Sequence, residues 1–218
     1  MAIHILGNGP SLRLFDRNSY PNSDVFVGCN FSDVDLGPDY TVIVDAHAMK
    51  KFRGGTKKGY RLEIPAVVTQ RAYDYIDKDS GGWQTMAPGL IDIVEVIPLE
   101  RDRTIARNLA MNSGQHATIY SIRRYNDQNE VHLWGIDSFW SNDLESTTDA
   151  IVRPEQRGRR VRPSVTRQWN GYWHKIFTDY SNHDFVIHKP IETTIDDRFT
   201  KYPNVRITES CHTRNKSI

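Results

Sequence analysis

The chain opens with one apolar run, Ala2-Ile3-His4-Ile5-Leu6, that breaks at once into Gly7-Asn8-Gly9-Pro10-Ser11-Leu12. Five residues closed by a glycine have the length of a buried strand, not of a helix. The break restarts as a helix: Pro10 lacks a donor that a first helical turn does not need, and Ser11 or Asn8 can cap it. Gly7 and Gly9 permit a tight turn and close approach of a ligand. Such a strand–glycine–helix opening places backbone amides around a phosphate, or it serves simply as a tight turn. The remainder of the chain has to decide between the two.

That remainder alternates short strands with helical patterns. Asp24 to Gly28, Tyr40 to Val44, Ile64 to Thr69, Ile93 to Ile97, Val131 to Trp134 and Phe185 to His188 read as strands. Helical spacing runs through Ala72 and Ile76, from Ser113 to Tyr125, and from about Arg167 to Tyr180. Nearly continuous apolar strands separated by helices imply an α/β fold, a Rossmann-like doubly wound and mostly parallel sheet with helices on both faces. At 218 residues the expectation is one nucleotide-binding domain over 1–218, with an irregular C-terminal tail from about 191. A net charge of +1 gives no bulk argument for nucleic acid or membrane. No stretch approaches a membrane span, and the first residues enter a strand at once, so a cytoplasmic location without a leader is expected. Cys29 and Cys211 are the two cysteines, too few and too far apart for a disulfide framework or a cysteine zinc site.

Ligands of doubly wound sheets sit at the carboxyl ends of the strands. There the sequence places Cys29-Asn30, Asp45-Ala46-His47 and Gly135-Ile136-Asp137, with Asn112-Ser113-Gly114 ahead of the middle helix. Two basic loops follow strand-end segments. One, near 50–59, carries Lys50, Lys51, Arg53, Lys57 and Lys58; the other, near 153–163, carries Arg153, Arg157, Arg159, Arg160 and Arg162. Solvated surface is one account of them. A lid closing on a diphosphate through bidentate guanidinium pairs is another, and a grip on a nucleic-acid backbone is a third.

With these residues assembled, the chain resembles the bacterial sialyltransferases that use CMP-sialic acid, through Gly7–Leu12, Ser113-Gly114 and Gly135-Ile136-Asp137. It is also similar to the 6-hydroxymethylpterin diphosphokinase-like proteins, through the same opening and Pro38-Asp39-Tyr40-Thr41-Val42-Ile43-Val44-Asp45. The resemblance implies a nucleotide-handling transferase. Asn8, Gly9 and Ser11 would contact the phosphate and sugar, with Gly7 and Pro10 shaping their turn and Asn30 assisting. Asn112, Ser113 and Gly114 would meet the phosphate side, and Gly135, Ile136 and Asp137 would hold the base or ribose.

Glycosyl transfer needs a base for the acceptor hydroxyl and stabilisation of the leaving phosphate, whereas diphosphoryl transfer needs Mg²⁺ and positioning. Asp45 suits both, as base or as metal anchor; His47 and His174 are the further base candidates. An Asp ending a strand also caps helices, a loop His is often only surface, and His174 lies among Trp169, Tyr172, Trp173 and Phe177, where packing is the plainer role. The Trp169–Trp173 pair reads as core packing. The expectation is a sialyltransferase-like glycosyltransferase with a CMP- or other nucleotide-linked donor. It needs no certain metal; the alternatives are a Mg²⁺-dependent diphosphokinase-like enzyme and a non-catalytic nucleotide- or nucleic-acid-binding module of a phage or mobile element.

Overall fold

A computed structural model describes residues 1–30, 34–44, 64–74, 93–98, 100, 110–141, 144 and 162–210. Asp45, His47, the loop near 50–59 and Arg153, Arg157, Arg159 and Arg160 lie outside the described residues.

The strands are β1 (Ile3–Leu6), β2 (Val25–Cys29), β3 (Tyr40–Ile43), β4 (Ala66–Thr69), β5 (Ile93–Ile97), β6 (Glu130–Trp134), β7 (Asp184–Pro190) and β8 (Val205–Ser210). They form one sheet in the order β5-β4-β3-β2-β1-β6-β7-β8, with every pairing parallel. The fold is therefore the doubly wound α/β class expected from the sequence. Ile3 pairs with Val25 on one side and Val131 on the other, so β1 lies between β2 and β6. The chain winds outward from β1 to β5, returns to lay β6 against β1, and winds outward again to β8. The strand order reverses between β1 and β6, and a ligand crevice opens at such a switch point.

Besides the helical residues 70–74 that follow β4, the described helices are α1 (Ser113–Arg124), α2 (Pro163–Asp179) and the short α3 (Asp197–Thr200). On one face Ile3, Ile5, Val27, Leu133, Phe185 and Ile187 pack with Ala117 and Ile119 of α1 and with Tyr172, Trp173 and Phe177 of α2. Each fully buried side chain of this kind contributes about 1.5–3 kcal/mol. On the other face Leu6, Phe26 and Trp134 are covered by Leu12 and Phe15 of the β1–β2 connection. Among the described residues no helix is long and apolar enough to cross a membrane.

Three sequence expectations need correction. The tail from about 191 is not irregular: it supplies α3 and the edge strand β8. Edge position explains the miss, because β8 alternates half-buried Val205 and Ile207 with exposed Arg206 and lacks the continuous apolar signal of its neighbours. The helix after Gly9 is a 3₁₀ segment, Pro10–Leu14, with Gly9 at its cap position and no side-chain cap. Asn8 and Ser11 make other bonds, described below. α2 also begins earlier than its spacing indicated, with Pro163 in its first turn.

Candidate functional site

The turns that leave β1 and β6 interlock. Gly7 N donates to Trp134 O at 2.7 Å, and Gly9 N donates to Gly135 O at 2.9 Å. A Cβ on Gly7 would lie 2.6 Å from Gly135 O, and one on Gly135 would lie 2.5 Å from Gly7 O. Gly135 also has φ +63°, a conformation that costs side-chain-bearing residues about 1–2 kcal/mol. The glycines thus accommodate a neighbouring turn, and the amides of Gly7 and Gly9 already serve protein carbonyls. Pro10 has no amide to offer.

Asp137 continues this interlock. Its carboxylate accepts from Ser11 N at 3.2 Å and from the Ser11 hydroxyl. Burial pushes the Asp137 pKa up, against the lowering effect of the bonds from Ser11. A Cβ on Gly9 would lie 2.6 Å from the carboxylate carbon, so Gly9 makes room for this pair. The pair forms part of the wall of an open cleft of about 570 Å³, with Arg13, Trp140, Glu192, Thr193 and Thr194 among its other walls.

A second cluster stands at the amino end of α1. Asn112 caps the helix, accepting from Gln115 N at 3.0 Å while Gln115 Oε1 accepts from Asn112 N at 2.9 Å. This reciprocal capping box leaves the Ser113 and Gly114 amides with no acceptor among the described residues, although both residues are buried. The Ser113 hydroxyl donates to Asn30 Oδ1 at 2.6 Å. Asn30 is the one described non-glycine residue with positive φ, at 55°. It is held there by Asn30 N donating to Val42 O at 2.9 Å and by Thr41 Oγ1 donating to Asn30 O at 2.6 Å. Asn tolerates this region better than most residues, yet such conformations concentrate at functional sites. With Oδ1 bonded to the Ser113 hydroxyl, the Asn30 side chain is fixed against the first turn of α1. Asn8 Nδ2 meanwhile donates to Cys29 O at 2.8 Å, tying the β1 turn to the end of β2.

The structure therefore brings Gly7, Asn8, Gly9, Pro10, Ser11, Asn30, Asn112, Ser113, Gly114, Gly135, Ile136 and Asp137 to the carboxyl edge around the switch point. Ile136 joins the two clusters, since its Cδ1 would meet a Cβ on either Gly7 or Gly114. It does not bring His174 there. His174 is stacked on Phe199 with ring centroids 4.5 Å apart, and its Nδ1 lies 3.0 Å from the Tyr202 hydroxyl. Its partners belong to the segment read from sequence as tail, and its role is packing. His116 is likewise structural: buried, with Nε2 accepting from Glu100 N at 2.9 Å and Nδ1 facing Asn112 O at 3.1 Å. Arg162, the described member of the arginine loop, occupies the cap position of α2 and is exposed.

Sequence reading missed a polar stripe on α2. Among the described residues, Thr166 Oγ1, Trp169 Nε1, Asn170 Oδ1 and Trp173 Nε1 are buried atoms without a hydrogen-bond partner, as are His174 Nε2 and, beside Asp137, Ser138 Oγ. Their spacing of three, one and three residues was the available signal, masked by two tryptophans that look like core. Comparison with known proteins finds no matching family model, no matching curated protein and no matching solved structure.

Proposed function

We propose that this protein is a transferase that works on a nucleotide-activated donor bound in the crevice over the β1–β6 switch point. The observation that carries the reading is the amino end of α1, where the Ser113 and Gly114 amides have no acceptor among the described residues and the Ser113 hydroxyl bonds Asn30. Helix amides and the positive end of the helix dipole suit a phosphate, and the switch point is where doubly wound sheets take nucleotides. The phosphate falls to α1 because the amides of the β1 turn serve Trp134, Gly135 and Asp137.

Glycosyl transfer is the reaction this reading favours. The bond from the sugar carbon to the phosphate oxygen breaks, and the acceptor oxygen bonds to that carbon. The acceptor proton passes to a base, for which Asp45 and His47 are the remaining sequence candidates. Negative charge then grows on the departing phosphate, where the fixed Ser113 and Gly114 donors stabilise it. Asp137 stands at the wall of the neighbouring cleft, a carboxylate at a strand end that suits a ribose hydroxyl. The second reading, Mg²⁺-dependent diphosphoryl transfer, rests on the Pro38–Asp45 segment.

A thermal-shift panel of CMP, CDP, UDP, GDP, ADP and ATP, each with and without Mg²⁺, tests the proposal. A nucleotide at a hundred times its Kd adds about 2.7 kcal/mol of stability. A shift with cytidine nucleotides irrespective of metal supports glycosyl transfer, and a shift confined to ATP with Mg²⁺ supports the second reading. No shift with any nucleotide overturns both.

A further inference from the structure

The inward face of α2 changes character along its length. Trp173, Ile176 and Phe177 lie in the apolar core, while one and two turns nearer the amino end the same side carries Thr166 and Asn170. Thr166 is 0% exposed and Asn170 7%, so these polar groups are not turned to solvent. A helix that precedes a parallel strand runs antiparallel to it, so the amino end of α2 stands at the carboxyl edge of the sheet, beside the switch point. The position relative to α1 is fixed by two contacts. Gln115 Nε2 donates to Trp169 O at 2.6 Å, and a Cβ on Gly114 would lie 3.9 Å from Trp173 Cζ2. The Trp173 indole therefore packs against the first turn of α1 at Gly114.

Leaving a buried donor or acceptor unpaired costs about 1–3 kcal/mol, and each such group in a native structure calls for an explanation. Here five side-chain atoms of one helix, His174 Nε2 among them, share the fault, and two of them are indole nitrogens, which can only donate. Adding the amides of Ser113 and Gly114 makes a set of neutral donors drawn from two helices. Such a set is complementary to oxygen anions.

We propose that α2 forms the second wall of the crevice and grips a phosphate or diphosphate group through the indole N–H groups of Trp169 and Trp173, opposite the α1 amides, with the Thr166 hydroxyl donating to a further oxygen of the group and Asn170 Oδ1 accepting from an adjoining sugar hydroxyl. The inference rests on the reading of the crevice as a phosphate site and assigns α2 a binding role that its tryptophans conceal. Neutral donors fixed by packing stabilise phosphate charge.

The test is a titration of the full chain with inorganic pyrophosphate, followed through backbone amide and indole resonances in ¹⁵N-correlated NMR spectra. The chain has five tryptophans, so the indole region holds five signals, assigned by single Trp→Phe variants. The expected result is a downfield move of the Trp169 and Trp173 indole protons together with the Ser113 and Gly114 amides. Trp169→Phe and Thr166→Val should weaken pyrophosphate binding about ten-fold each, the loss of one hydrogen bond to a charged group. Thr166→Val should leave the unliganded protein as stable as before or more so, because it deletes an unpaired buried polar atom at nearly constant volume. Trp169 is only half-buried, so its variant keeps the test sound if Trp173→Phe does not fold. Movement of the Ser113 and Gly114 amides with the two indoles unmoved overturns the α2 wall and leaves the crevice reading standing. Movement of neither overturns both.

Discussion

Ser113 and Asn30 are joined by a hydrogen bond of 2.6 Å that links the amino end of α1 to the end of β2, and Asn30 makes it from a left-handed backbone conformation. The bond orients the Asn30 amide and fixes the residue whose own amide is free. Its two functions, backbone geometry and side-chain orientation, separate by substitution. Asn30→Gly retains the conformation at little cost, whereas Asn30→Ala adds about 1–2 kcal/mol of strain. Both remove the amide. Urea unfolding should therefore show the alanine variant clearly less stable than the glycine variant, while nucleotide-induced thermal shifts fall in both. Undiminished shifts in Asn30→Gly would remove Asn30 from the site.

The interlock of the β1 and β6 turns yields a paired comparison. Gly135 and Gly37 share φ +63°, but a Cβ on Gly37 meets nothing closer than Arg17 Nε at 3.8 Å. Gly37→Ala should cost only the conformational term, about 1–2 kcal/mol. Gly135→Ala adds a clash with Gly7 O and should cost about 2–5 kcal/mol in all. Equal losses in chemical denaturation would show that the turns yield freely and do not position the crevice.

Much of this was legible in the sequence for a specific reason. Central parallel strands are buried on both faces, so β1, β2 and β3 appear as short apolar runs, and the glycines that close β1 and β6 stand out. The function of those glycines was not legible, because what they fit is a turn distant in sequence, Gly7 against Gly135. His174 looked available because the residues that pack it, Phe199 and Tyr202, sit in a stretch whose edge strand lacks continuous hydrophobicity. His4, His132 and His188 were likewise silent, each a single polar letter in an apolar strand, since only the sheet order makes them neighbours.

Asp137 gives a pH effect of defined sign. Burial raises its pKa in the fold, so the folded protein binds a proton more readily there than the unfolded chain. Its contribution is fully present below the unfolded carboxyl value and is lost as pH rises through the folded value. Asp137→Asn removes this slope while keeping an acceptor for Ser11. Difference stability curves of the two proteins between mildly acidic and neutral pH should fall with pH in the native chain alone. A rising difference would contradict the assignment.

The three strand histidines act oppositely and more strongly. His4 and His132 stack with centroids 4.4 Å apart, and His132 Nδ1 lies 2.8 Å from His188 Nε2. Trp134 Nε1 donates to His4 Nδ1 at 3.3 Å, which leaves the His4 proton on Nε2, facing Asp24 at 3.2 Å. Burial, then the neighbouring His132, brings His4 down to about 4 against the raising effect of Asp24. Burial with His132, His4 and Arg206 brings His188 to about 3, and burial lowers His132 against Glu130. Each folded pKa lies below the unfolded value of 6.5, so the unfolded chain takes up these protons first. Stability is complete above about pH 6.5 and is lost as pH falls toward the folded values. His4 and His188 together bring the slope to about 2.5 kcal/mol per pH unit near pH 5, and His132 adds to it in the same direction. His188→Phe retains a ring against Trp134 and removes one site, so its slope should be shallower by about 1.4 kcal/mol per pH unit. Denaturation midpoints measured from neutral pH down to about pH 5 decide the matter: a flat profile in the native chain, or the same slope in His188→Phe, would show that the row does not govern acid stability.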